Sequence, residues 1–332
     1  MAGKPTLKDV AEKAGVSEMT ASRALRKADA VSEKTRKKIE RVARELGYVP
    51  NRIAGALASR SVNLVGVIFP SLSSFVFPEV LSGISSVLGA SPLQPVVGVT
   101  GYNLEEEENV IREMLSWRPA GLVVAGLEHT AAARKMLAAA DIPVVEIMDV
   151  DGEAVDYCVG ISHVEAGRRM AEAIIARGYR RIGFIGTKMP KDFRAAKRYQ
   201  GFVEVIARAG LSLVAERQYS GGSSIAEGRK ITTDLHQQHP ELDCIYYSSD
   251  LMAVGGYMYC LSNEVAVPGQ LAIAGFNNLQ IIDGLPLQLA TTDAYRFEIG
   301  QKAAEIVLGD PPSARAEKTC VLTPTVLPGQ SI

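Results

Sequence analysis

The sequence lacks most of what would mark an exported, membrane-spanning or metal-dependent protein. Only 4 of its 332 residues are cysteine, at Cys158, Cys244, Cys260 and Cys320. They form no C-x-x-C pair, and each sits among apolar neighbours. They therefore read as buried thiols of a reducing compartment, with neither a disulfide frame nor a zinc site. The histidines are few and dispersed: His129, His163, His236 and His239. The last two fall at a polar helix end and read as surface. No charged-then-apolar leader opens the chain, and no run of about 18 uninterrupted apolar residues follows. The expectation is a cytoplasmic protein that enters no membrane. No nucleophile–base constellation stands out, and the GTK of Gly186–Lys188 is not a phosphate loop. Neither an enzyme nor a bound cofactor is expected.

Net charge is nearly absent too, at −1, but its distribution is uneven. Residues 1–60 carry 14 Lys/Arg against 7 Asp/Glu, and the remainder carries 22 against 30, so a +7 head sits on a −8 body. That asymmetry suits a nucleic-acid contact confined to the N-terminus. Without a binding motif, a solvated basic face would explain it equally well. The length exceeds one ordinary domain, and 47% hydrophobic residues with 22% charged describe a globular chain with a real core.

The motif lies in Leu7–Leu25, LKDVAEKAGVSEMTASRAL. Leu7, Val10, Ala11 and Ala14 recur at spacings of three and four, which puts one apolar stripe on a short helix. Gly15 tolerates positive φ and can turn the chain sharply. Ser17 is a good cap for a second helix. Helices over 7–14 and 17–26 joined by a glycine turn make a helix-turn-helix, whose second member meets base edges and phosphates with its exposed N-terminal half. That half holds Ser17, Glu18, Met19, Thr20, Ser22 and Arg23. Thr6 at the helix entry joins them as a candidate DNA contact. A small helical hairpin without function is the other reading of the spacing alone. Ser32 then caps a third helix, Glu33–Leu46, whose Ile39, Val42, Ala43 and Leu46 close a small core, and Gly47 ends it.

Three blocks in order carry a resemblance: KDVAEKAGVS-x-x-T-x-SR at Lys8–Arg23, VSEKTRKKI at Val31–Ile39 and LGYVPNRIAGALAS at Leu46–Ser59. SSDLMAVGG at Ser248–Gly256 and LAIAGFNN at Leu271–Asn278 add to it. Over nearly its whole length the chain resembles lactose-repressor (LacI) family regulators. MLSWRPAGLVV, DIPVVEIMD, IIARGYRRIGFIG and the ending LPGQSI are most similar to repressors of gluconate utilisation.

The linker after the third helix has Pro50, which disfavours helix for Val49, and Asn51, a good cap. A two-turn helix over 52–58 is too short to persist alone in water. The resemblance implies a hinge helix that folds on operator DNA and pairs with its dimer mate. It would wedge Leu57 into the minor groove, with Asn51, Arg52 and Ala54 beside it. Gly55 costs such a helix about 0.5–1 kcal/mol relative to alanine, so a loose hinge is expected.

From Asn63 onward short apolar strands alternate with amphipathic helices, the pattern of doubly wound parallel sheets. The expected fold is an N-terminal all-α helix-turn-helix domain (1–49) and a hinge (50–62), followed by an α/β periplasmic-binding-protein-like core (63–332). The resemblance divides that core into an N-subdomain, about 63–161 and 293–322, and a C-subdomain, about 162–290 and 323–332. Crossings near His163 and Thr291 would flank a ligand cleft. Open α/β sheets hold ligands beyond the carboxyl ends of their strands. The resemblance places Asp149, Arg198, Ser249, Asp250 and Asn277 there, and strand-end reading adds Phe77, His163 and Arg194. Phe75 is the alternative to Phe77 for packing on a sugar face. DFRAAKRYQGF reads as a loop that brings Arg194 and Lys197 near Arg198.

Neutral-sugar binders of the family usually carry aspartate at the position of Asn277. Losing that carboxylate and gaining cations favours an anionic ligand held bidentately by Arg198 or Arg194. The expectation is a homodimeric repressor of a sugar-acid operon, released from double-stranded operator DNA by a small sugar acid, first of all gluconate. Alternatives are 2-ketogluconate or a neutral sugar as effector and, from another class, a sugar-binding protein or enzyme without DNA function.

Overall fold

The computed structural model describes residues 4–25, 31–50, 62–73, 75–189, 191–309 and 318–332. They form two compact units that part between Val62 and Asn63. Asn51, Arg52, Ala54 and Leu57 of the expected hinge lie outside the described residues.

The first unit packs α1 (Leu7–Ala14), α2 (Glu18–Leu25) and α3 (Glu33–Leu46) around Val10, Ala11, Ala14, Ala21, Ala24, Ile39, Val42 and Ala43. Its ends are set by caps. Thr6 N–H donates to Asp9 Oδ2 at 2.7 Å, while Thr6 Oγ1 accepts from Asp9 N–H at 3.3 Å. This reciprocal pair satisfies two otherwise free donors. Gly15 closes α1 at φ 65° and Gly47 closes α3 at φ 66°. Ser17 Oγ accepts from Thr20 N–H at 3.2 Å, so α2 begins at Glu18, one residue after the expected start.

The second unit alternates strands and helices: β1 (Leu64–Phe69), α4 (Val76–Leu88), β2 (Gln94–Val99), α5 (Leu104–Ser116), β3 (Gly121–Ala125), α6 (Ala131–Ala138), β4 (Val144–Ile147) and β5 (Tyr157–Gly160). It continues with α7 (His163–Ala176), β6 (Ile182–Thr187), α8 (Phe193–Arg208), β7 (Ala215–Tyr219), α9 (Ile225–Gln238), β8 (Cys244–Tyr247), α10 (Asp250–Ser262) and β9 (Ala272–Ala274). Last come β10 (Thr291–Asp293), α11 (Arg296–Leu308), β11 (Thr319–Val321) and β12 (Thr325–Leu327).

One parallel sheet runs β11-β5-β4-β3-β1-β2 and a second runs β7-β6-β8-β9, while β10 and β12 form a separate antiparallel pair. In each parallel sheet the chain reverses direction beside its first strand: β1 lies between β3 and β2, and β6 between β8 and β7. Those switch points leave crevices at the strands' carboxyl ends, where ligands bind in such sheets. Helix α11 returns to pack Ile299, Ala303 and Val307 on the first sheet's core, and β11 then joins that sheet. Among the described residues no helix is long and apolar enough to cross a membrane.

Several elements differ from expectation. The strands β5, β7, β10, β11 and β12 were not anticipated. Four of them have three or four residues, and β7, AERQY, is a mostly polar edge strand. Such segments pair because neighbouring strands are already in place. The segment expected as a loop, DFRAAKRYQGF, is the first turns of α8, because Asp192 caps that helix by accepting from Ala195 N–H at 3.3 Å. Cys158, Cys244 and Cys260 are buried as expected, but Cys320 is only half-buried.

Candidate functional site

In the first unit, α2 buries Ala21 and Ala24 and turns its other face outward. Met19 is 64% exposed, an unusual setting for so apolar a side chain unless a partner covers it. Thr6, Ser17 and Arg23 are exposed, and Thr20 and Ser22 are half-buried. The caps and the alanine core thus leave the start of α2 free to enter a groove.

In the second unit a cavity lies at the strand ends of both parallel sheets. Its wall includes Phe77, His163, Arg194, Arg198, Ser249 and Asn277. Position follows from packing: α7 and α8 cross so closely that a Cβ on Gly167 would stand 2.0 Å from the Arg198 carbonyl oxygen. A Cβ on Gly201 would stand 2.0 Å from that of Val164. Only glycines permit this approach, and it sets Arg198 beside the first residue of α7.

Arg198 Nη1 donates to His163 Nδ1 at 2.9 Å, Nη2 donates to the Ser248 carbonyl at 3.2 Å, and the guanidinium lies 3.8 Å from the Phe276 ring centre. Among the described residues its buried Nε–H has no hydrogen-bond partner, a donor that a ligand would satisfy. Burial holds the Arg198 guanidinium below its ordinary value, and Arg194 adds to this. Arg194 stands 3.7 Å from Asp192 and 5.5 Å from the Phe77 ring centre. Burial opposes its charge, but Asp192 and the Tyr102 hydroxyl outweigh that and raise it. Burial likewise raises the Asp192 carboxyl, yet Arg194 and Arg198 more than offset it and keep it ionised. Lys188 lies 4.1 Å over the Tyr102 ring at the same wall. Ser249 Oγ donates to Ser223 Oγ at 2.9 Å, and Asn277 is held at φ 113° by its backbone N–H bond to Thr292. A smaller adjoining cavity shares Tyr102 and Arg194.

Two of the expected ligand contacts are not on this wall. Asp149 is fully buried and binds Lys197 Nζ at 2.5 Å and Asp151 N–H at 2.9 Å. Lys197 also pairs with Glu128 at 2.6 Å, so it is an ion-pair partner, where the loop reading set it beside Arg198 as a second cation for the ligand. Asp250 is fully buried and accepts from Leu279 N–H and Thr291 Oγ1 at 2.8 and 2.7 Å. It braces the loop that carries Asn277, so both carboxylates support the site from behind. His163 has both ring nitrogens taken by protein, since Nε2 donates to the Met148 carbonyl at 2.7 Å. Phe75 is 59% exposed and does not line the cavity. His236, expected on the surface, is half-buried against the Tyr259 hydroxyl at 3.0 Å.

Sequence reasoning did not single out Tyr102, Lys188, Asp192 or Phe276. Asp192 carried a usable signal, an acid three residues before an alanine at the head of a periodic run. Lys188 directly follows β6, and Tyr102 lies three residues beyond β2, so a stricter strand-end reading would have found both.

Residues 6–51 match the model of bacterial regulatory proteins of the lacI family. Residues 63–330 match the model of periplasmic binding proteins and the sugar-binding domain of that family. The chain belongs to the LacI family. It is a DNA-binding transcriptional regulator built on the LacI fold, and its relatives are regulators, not enzymes. It is 39% identical to the HTH-type transcriptional regulator GntR of Pseudomonas aeruginosa over 92% of this chain and 89% of that protein. To GntR of Escherichia coli K12 it is 37% identical over 92% of this chain and 91% of that protein. A solved LacI-family regulator from Silicibacter pomeroyi superposes with a TM-score of 0.94 at 56% identity, covering 98% of this chain and 99% of that one.

Proposed function

We propose that this LacI-family regulator is a homodimeric repressor of sugar-acid catabolism, released from its operator when a sugar acid, first of all gluconate, enters the cavity of the second unit. The observation that carries the reading is the pair of nine-tenths-buried guanidiniums, Arg194 and Arg198, on one cavity wall whose only carboxylate among the described residues is Asp192. An uncompensated buried cation is costly, and a ligand carboxylate removes that cost. Ser73, Thr187, Ser249 and Asn277 on the same wall suit the hydroxyls of a polyol chain. Two regulators named GntR among the relatives point the same way.

On the DNA side, the reading assigns Thr6, Ser17, Met19, Thr20, Ser22 and Arg23 to the major groove and its phosphates. Asn51, Arg52, Ala54 and Leu57 belong to a minor-groove hinge. Residues 1–49 form the head, 50–62 the hinge and 63–332 the effector core, and the protein works in the cytoplasm beside its operator. Effector and operator then oppose each other with one reciprocal coupling energy.

The test is thermal unfolding of the full chain with gluconate, 2-ketogluconate, glucose and arabinose. A ligand at about 100 times its Kd adds about 2.7 kcal/mol of stability. A shift with gluconate supports the reading, and a shift with neutral sugars only would sink it.

A further inference from the structure

The two buried guanidiniums of the cavity wall are unequally paired, and one residue sets the difference. The wall itself carries Lys188, Arg194 and Arg198 against Asp192. Directly behind it, Lys197 is gripped by two carboxylates, Glu128 at 2.6 Å and Asp149 at 2.5 Å. His163 is neutral, because Nδ1 must offer a lone pair to Arg198. On the wall Asp192 stands beside Arg194 and Lys188 lies over the Tyr102 ring, so among the described residues Arg198 is the buried guanidinium with no ion pair of its own, and a single ligand carboxylate supplies one. We infer that Asp192 is a specificity-determining residue that restricts the cavity to ligands with one carboxylate and an otherwise neutral, hydroxylated chain. This rests on the sugar-acid reading above and adds to it which sugar acids are admitted.

Asp192 is suited to this work because it cannot leave. Its carboxylate caps α8 by accepting from Ala195 N–H at 3.3 Å, and it stands 3.7 Å from Arg194 on the same helix. It is thus a fixed counter-charge whose close contact is with Arg194, while Arg198 feels it at longer range. Among the described residues Arg198 hydrogen-bonds only to neutral partners, His163 and the Ser248 carbonyl, and its Nε–H has none. A monoacid meets Arg198 without crowding Asp192. A diacid of the same length brings a second carboxylate into a wall that has already balanced Arg194, and like charges at short range in a poorly hydrated site are strongly unfavourable. A neutral polyol leaves Arg198 uncompensated.

The experiment is calorimetric titration of the full-length protein with gluconate, glucarate and sorbitol, which carry one, two and no carboxylates. It compares wild type with Asp192→Asn and Asp192→Ser. Both substitutes cap helices about as well as aspartate, so α8 is retained while the charge is removed. Wild type is expected to bind gluconate at least tenfold more tightly than glucarate, and sorbitol weakest. Both variants are expected to narrow or invert the gluconate-to-glucarate ratio by at least tenfold. A variant that weakens or strengthens both acids by the same factor overturns the role of Asp192 alone, as does a wild type that prefers glucarate. A wild type that prefers sorbitol, or binds none of the three, overturns the sugar-acid reading and this inference with it.

Discussion

Arg198 Nη1 lies 2.9 Å from His163 Nδ1, and because a guanidinium only donates, the contact dictates the histidine's tautomer. The ring's proton sits on Nε2 and points to the Met148 carbonyl at 2.7 Å. His163 therefore acts as a neutral bracket between β4's end and the arginine, and burial together with Arg198 holds it far below the ordinary histidine value.

A pH dependence follows. The folded state cannot protonate His163, whereas the unfolded chain does so near pH 6.5, so stability is lost as pH falls below that value. The loss is about 1.4 kcal/mol per pH unit for one such group. Urea unfolding of wild type and His163→Gln between pH 7.5 and 5.5 checks it. The wild type should lose about 1.4 kcal/mol more than the variant over that range, and parallel profiles would remove the constraint.

His129 has the opposite sign. It bridges Glu107 at 2.6 Å and Glu146 at 3.0 Å. Burial works against its charge, but the two carboxylates prevail and raise it to about 9. Its contribution is fully present below the unfolded value near 6.5 and is lost as pH rises through about 9. Wild type should lose stability between pH 6.5 and 9.5 relative to His129→Gln, as read by chemical denaturation.

Arg198→Ala should abolish induction and leave DNA binding intact. Removing one partner of a buried, charge-assisted contact costs about 2–5 kcal/mol, or roughly 30-fold and upward in affinity. Calorimetry with gluconate measures the loss and a band shift on the operator measures the retained binding. A variant that still releases operator on gluconate would contradict the site.

Gly167→Ala places a Cβ 2.0 Å from the Arg198 carbonyl oxygen and must force α7 and α8 apart. A destabilisation of about 3 kcal/mol is expected. Effector affinity should fall with it, because the same backbone carries Arg198. The melting temperature and gluconate titration of one preparation test both.

Leu57→Ala should weaken operator binding far more than binding to random DNA, since an apolar wedge adds to specific, bent complexes. Equal losses on the two DNAs, measured at one salt concentration, would argue for an ordinary interface leucine.

Local chemistry was enough to read the head and the alternation of the second unit. Gly15, Ser17, Ser32 and Gly47 act within a few residues of their own positions, so their caps and turns appear in the sequence as they do in space. The basic head, the helix-turn-helix and the long apolar strands depend on spacing and composition alone.

Tertiary structure decided what each charged group does. Asp149 and Asp250 stand at strand ends as cleft residues should, yet Lys197 claims the first and Thr291 and Leu279 claim the second. Those partners come from distant segments, 48, 41 and 29 residues away. The short strands β10 and β12 exist only because the folded chain brings 291–293 and 325–327 side by side. Hydrogen-bond and charge pairing are settled by distances of a few ångströms, which periodicity along a chain does not encode. The sequence by itself determined the family and the main alternation of strands and helices; only the folded packing determined which charged groups line the cavity and which brace it from behind.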